Sequence, residues 1–114
     1  MLSRDVFRVL AAGAIWRLAR TALAGRVLVR ALGARSEDAR VMAGMLLTRS
    51  GRTALPLLRE AMARHENLPT VITIVGSIGD HSLEPELRRF ASDSDPQVAR
   101  AARDSLRILG AEGA

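Results

Sequence analysis

Apolar residues along this chain recur at helical rather than strand spacing. Around Pro56 they fall at Leu55, Leu58 and Met62, around Pro85 at Leu83, Leu87 and Phe90, and after Pro96 at Val98, Ala101, Ala102, Leu106 and Leu109. Positions three and four apart share one face of an α-helix, so each segment predicts an amphipathic helix. A proline in the first turn suits all three, because the N–H it lacks would have had no helical acceptor there. Ser36 predicts a further N-cap, with Glu37 and Asp38 at the positive end of the helix dipole, Met42, Met45 and Leu46 on the apolar face and Gly51 at the close. Asp95 predicts the cap of the last helix and Gly110 its end. One segment argues locally for a strand: Thr70-Val71-Ile72-Thr73-Ile74-Val75 is β-branched throughout. A lone strand among helices would leave its backbone groups without partners, so a helix is expected there as well.

The helices repeat. Arg52-Thr53-Ala54-Leu55-Pro56-Leu57-Leu58-Arg59 aligns with His81-Ser82-Leu83-Glu84-Pro85-Glu86-Leu87-Arg88, so that Pro56, Leu58 and Arg59 meet Pro85, Leu87 and Arg88, each 29 residues on. Each copy reads as the second helix of a hairpin. In the last third, Asp93-Ser94-Asp95-Pro96-Gln97-Val98-Ala99-Arg100-Ala101-Ala102-Arg103-Asp104-Ser105-Leu106-Arg107-Ile108-Leu109-Gly110 carries an Asp-Pro, Val, Ala-Ala, Leu, Leu-Gly pattern. This segment resembles the first helix of a HEAT repeat, of the short bacterial kind similar to that of phycobilin-lyase-like proteins. The resemblance covers residues 36–110; Asn67-Leu68-Pro69-Thr70-Val71 departs from the Asp-Pro-x-Val-Arg opening expected of that repeat. It implies an all-α, right-handed α-solenoid of HEAT-like hairpins, about three of them closed by a C-terminal helix.

Residues 1–35 match less well. Arg20-Thr21-Ala22-Leu23 echoes Arg52-Thr53-Ala54-Leu55, and Val6, Phe7, Leu10, Ile15, Trp16 and Leu18 supply the apolar side of a preceding helix. This third reads as a degenerate hairpin or cap on the array of residues 36–114, within one compact domain. With 114 residues, nearly half of them hydrophobic, the chain can bury one such core.

Composition narrows the chemistry. The chain has no cysteine, which removes disulfides, thiolate catalysis and thiolate metal sites, and a cytoplasmic location is the default expectation, peripheral to a membrane if the basic third binds lipid. The uncharged run from Asn67 to Gly79 is shorter than the roughly 20 residues that cross a bilayer as a helix. His65 and His81 have no further ligand at metal-binding spacing, and Gly76-Ser77-Ile78-Gly79 lacks the lysine and context of a phosphate loop. Asp80, His81, Glu84 and Glu86 are the raw material of acid–base catalysis, but acids at a helix start ordinarily serve the dipole. No catalytic residue, cofactor, metal or small-molecule substrate is expected.

Charge changes the picture more. All basic residues are arginine, a bias that GC-rich coding produces as readily as guanidinium recognition does. Residues 1–35 carry seven arginines against Asp5 alone, a balance of +6, whereas residues 36–114 carry ten against eleven acids, a balance of −1. Arg100 and Asp104 are expected to pair at i,i+4. Three function classes follow. The first is a non-catalytic protein-interaction or scaffold module that binds a protein partner, acidic in one version, through a concave face carrying Arg59, Glu60, Arg88 and Arg89. The second is a binder of anionic surfaces, membrane or nucleic acid, through Arg4, Arg8, Arg17, Arg20, Arg26 and Arg30. The third, a lyase-associated enzyme subunit, rests on the resemblance alone. A cleaved targeting segment is a further reading of the acid-poor N-terminal third.

Overall fold

The computed structural model describes the backbone of residues 4–19 and 22–113 and the side chains of residues 4–13 and 24–110. The described residues form helices joined by short turns, without a strand. Helix α1 spans Arg4–Ala19 and α2 spans Ala22–Ala31. Val6, Val9 and Ala12 of α1 and Ala24, Leu28 and Val29 of α2 are buried. Beyond α2 the chain unwinds through Leu32, Gly33 and Ala34, whose amides donate to the carbonyls three residues back. The Arg40 guanidinium ties this turn down, donating to the carbonyls of Ala34 and Arg35 at 2.7 and 3.0 Å.

Helix α3, Glu37–Ser50, opens as expected: the Ser36 hydroxyl accepts the Ala39 amide at 3.2 Å. Gly51 closes it with φ 59°, a conformation that favours glycine. The buried stripe differs from the expected one. Ala39, Ala43 and Leu47 face the core, Met42 and Leu46 are half-buried beside them, and Met45 stands 51% exposed. Small residues occupy the face of closest approach and displace the bulkier methionine outward.

The two proline segments fold alike. A 3-10 turn over Gly51–Ala54 leads into α4, Leu55–Ala63, and another over His81–Leu83 leads into α6, Glu84–Phe90, with Pro56 and Pro85 in the first turns. Leu55, Leu58, Met62, Leu83 and Leu87 are buried and Phe90 is half-buried, which is the expected stripe. Between these helices lies α5, Leu68–Ile78, so the β-branched segment is helical. It contacts α3, α4 and α7, burying Val71, Ile72, Ile74 and Val75. Tertiary burial overrides the modest helix propensity of valine and isoleucine.

Helix α7, Pro96–Gly113, begins at Asp95, whose carboxylate accepts the Gln97 amide at 2.9 Å. It continues through Gly110 rather than ending there. Its inner side carries Val98, Ala102, Ser105 and Leu109 against α5 and α6. The α5–α7 contact is the most extensive among the described residues: Gly76 lies against Ser105, whose hydroxyl donates to the Ile72 carbonyl at 3.0 Å. Helices α1, α3, α5 and α7 touch in series, while α2 lies beside α1, α3 and α4, and α6 beside α7. The radius of gyration, 13.8 Å, matches a single folded domain of this length.

Candidate functional site

The four residues expected on a partner-binding face lie on two helices. Arg59 and Glu60 are exposed on α4, Arg88 and Arg89 on α6. They are not equally free. The Arg59 Nε lies 3.9 Å from Glu86 of α6, and Arg52 lies 2.8 Å from Asp80, so two arginines before or within α4 reach acids before or within α6. Glu60 pairs with Arg64 at 2.7 Å, and Arg88 with Glu84 at 2.7 Å. Arg89 makes no ion pair among the described residues. Three of the four expected residues are therefore held in ion pairs, and Arg89 alone of them is unpaired among the described residues. The repeat register contains the signal for this: Asp80 and Glu86 stand about one repeat beyond Arg52 and Arg59.

The acidic cluster at the start of α6 divides among separate partners. The Asp80 carboxylate caps the 3-10 turn by accepting the Ser82 amide at 2.8 Å, Glu84 sits between Arg88 and His81, and Glu86 turns toward Arg59. Hydrogen bonds from Ser82, with help from Arg52, hold the Asp80 carboxyl below its ordinary range. The Arg88 guanidinium, and then His81, do the same for Glu84. The folded chain thus keeps both groups ionised at acidities where the unfolded chain binds protons. Their stabilisation is complete above the ordinary carboxylate pKa of about 4 and is lost as pH falls through the lower folded values. Melting temperature is expected to fall below about pH 4, and Asp80→Asn should flatten that fall; an unaltered acid limb would show that Asp80 contributes nothing to it.

His65, with φ 56°, lies edge-on to Phe90 with ring centroids 5.9 Å apart. Among the described residues no three acids or histidines gather as a metal site. Asp104 pairs with Arg107 rather than with Arg100.

The N-terminal third differs. Arg4 and Arg8 of α1 and Arg26 and Arg30 of α2 are exposed and make no ion pair among the described residues. The Arg17 and Arg20 side chains fall outside the described residues. A cleft of about 340 Å³ between α1 and α2 is lined by Asp5, Arg8, Val9, Val27, Arg30, Ala31 and Ala34. Phe7 is 67% and Leu10 42% exposed, on the same helix as Arg4 and Arg8. Sequence periodicity placed Phe7 and Leu10 with the apolar side of α1; their exposure follows only from where α2 and α3 pack. Compared with protein-family models, curated proteins and solved structures, the chain matches none of them.

Proposed function

We propose that this chain is a right-handed α-solenoid of HEAT-like hairpins that acts as a non-catalytic interaction module, capturing a partner protein on the face formed by α2, α4 and α6. The serial contact of α1, α3, α5 and α7, with α2 and α4 alongside, supports the two-layer reading. The observation that carries the functional part is the Arg59–Glu86 ion pair, which reaches from an exposed arginine of α4 to a half-buried carboxylate of α6. Such a face presents alternating charge at fixed spacing, suited to reading a complementary protein surface. Arg89 carries the largest share because its charge is not already matched.

Reversing that charge tests the reading. Arg89→Glu is expected to weaken affinity capture of the partner from a cell lysate by about tenfold, with Arg59→Glu and Arg88→Glu smaller individually. All three side chains are exposed, so cooperative melting should persist. Capture that is indifferent to all three reversals would remove α4 and α6 as the binding face.

A further inference from the structure

We infer that α1 and α2 seat this protein on an anionic lipid surface, with Phe7 and Leu10 entering the headgroup boundary and Arg4, Arg8, Arg26 and Arg30 meeting lipid phosphates. This surface adjoins the face assigned to α2, α4 and α6 and shares α2 with it, since Arg26 lines a groove with Glu60 and Arg64 of α4; Phe7, Leu10, Arg4 and Arg8 of α1 belong to it alone.

Helix α1 exposes apolar groups beside its buried ones. Val6, Val9 and Ala12 fill the core; Phe7 projects away from them, two-thirds exposed, and Leu10, one turn on from Val6, stands at the border of the buried stripe, two-fifths exposed. Removing apolar surface from water gains about 25 cal/mol for each Å² covered, so an exposed phenylalanine and leucine three residues apart favour a surface that covers both. Beyond Phe7 the exposed arc of α1 continues to Arg4 and Arg8, one turn apart, and α2 bears Arg26 and Arg30, also one turn apart. None of the four is neutralised by an ion pair among the described residues. From Val6 to Ser36 the sequence contains no acid at all, and Asp5 is the one carboxylate lining the cleft between Arg8 and Arg30.

The combination selects the occupant. Guanidinium groups hold phosphates in a forked, charge-assisted geometry, which either lipid or nucleic acid would satisfy. A nucleic acid admits a leucine only where its bases are unstacked, which costs energy. A bilayer offers both in the required order: a plane of phosphates with an apolar boundary a few ångströms beneath it. No helix among the described residues is long and apolar enough to cross a membrane, and the inferred contact is with its surface.

Cosedimentation of the full chain with vesicles tests this. Phosphatidylcholine vesicles containing phosphatidylglycerol should bind the protein at low salt, and pure phosphatidylcholine vesicles should bind it far more weakly. Arg8→Gln should lower affinity for the anionic vesicles about fivefold, the effect of one basic residue near such a surface. Phe7→Ser should lower it about tenfold through lost insertion. Both side chains are exposed, so both variants should melt as the parent does. Leu10→Ser and Arg30→Gln give a second, independent pair of readings should either first variant misfold. Absence of binding to the anionic vesicles, equal binding to the neutral ones, or indifference to Phe7→Ser and Leu10→Ser would overturn the inference. So would tighter, arginine-dependent binding to a DNA or RNA oligonucleotide, which would give these arginines to nucleic acid.

Discussion

Gly76→Ala is expected to destabilise this protein by about 3 kcal/mol, at the upper end of ordinary overpacking costs. A β-carbon on Gly76 would stand 2.5 Å from the Ser105 hydroxyl oxygen, 2.6 Å from its Cβ and 2.9 Å from its Cα. The last of these is decisive, because a side-chain tip can rotate aside and a backbone atom cannot. Relief therefore requires α5 and α7 to separate along the most extensive helix contact among the described residues. Separation also stretches the bond from the Ser105 hydroxyl to the Ile72 carbonyl, both of which are buried. Thermal unfolding should show a fall in melting temperature of roughly 10 °C. Gly110→Ala is the matched control. It also lies in α7, but nothing stands within 4 Å of its added carbon. Alanine there should stabilise by about 0.8 kcal/mol, the ordinary preference over glycine inside a helix. Parental melting of Gly76→Ala would mean that α5 and α7 do not cross at this point. A loss of stability in Gly110→Ala would mean that the helix ends at Gly110, as the sequence pattern suggests.

These two glycines also mark what can be read from sequence and what cannot. Helix starts are legible because their signals are local. Ser36 and Asp95 cap through side chains that reach two or three residues onward, and Pro56 and Pro85 fix the first turn wherever they stand. Helix ends and buried faces depend on neighbours distant in the chain. Gly110 has the residue type of a terminator, yet glycine is tolerated in a helix interior at modest cost, and α7 continues past it. Met45 has the spacing and hydrophobicity of a core residue, yet α3 turns its alanines inward, since the small side chains permit the closest approach of its neighbours. The surface follows the same division. The charge imbalance of the first third is legible by counting, whereas the pairing of Arg59 with Glu86 needs two helices brought side by side. The exposure of Phe7 likewise needs the positions of α2 and α3.

Asn67→Ala should cost about 2 kcal/mol, from two sources of similar size. The residue sits in the left-handed region with φ 46°, which asparagine tolerates and alanine does not, a difference of about 1 kcal/mol. Its side-chain amide donates to the Val29 carbonyl at 3.1 Å, across 38 residues, worth about another 1 kcal/mol. Asn67→Gly separates the two, because it restores conformational freedom without the amide and should cost roughly half as much. Equal losses in the two variants would assign the whole effect to the hydrogen bond. The position explains why the opening of α5 departs from the Asp-Pro start of α7. At Asp95 the side chain turns inward to cap its own helix. At Asn67 no side-chain cap forms: its backbone carbonyl accepts the Val71 amide, and its side chain reaches across to the end of α2 and rests against Gly33. One residue thereby sets where α5 begins and holds it to the N-terminal hairpin, and that hairpin carries the free arginines. Loosening this tie should release the first hairpin before the rest, so Asn67→Ala is expected to raise amide hydrogen exchange in α2 more than in α7. Uniform acceleration across both helices would place Asn67 in the global core instead.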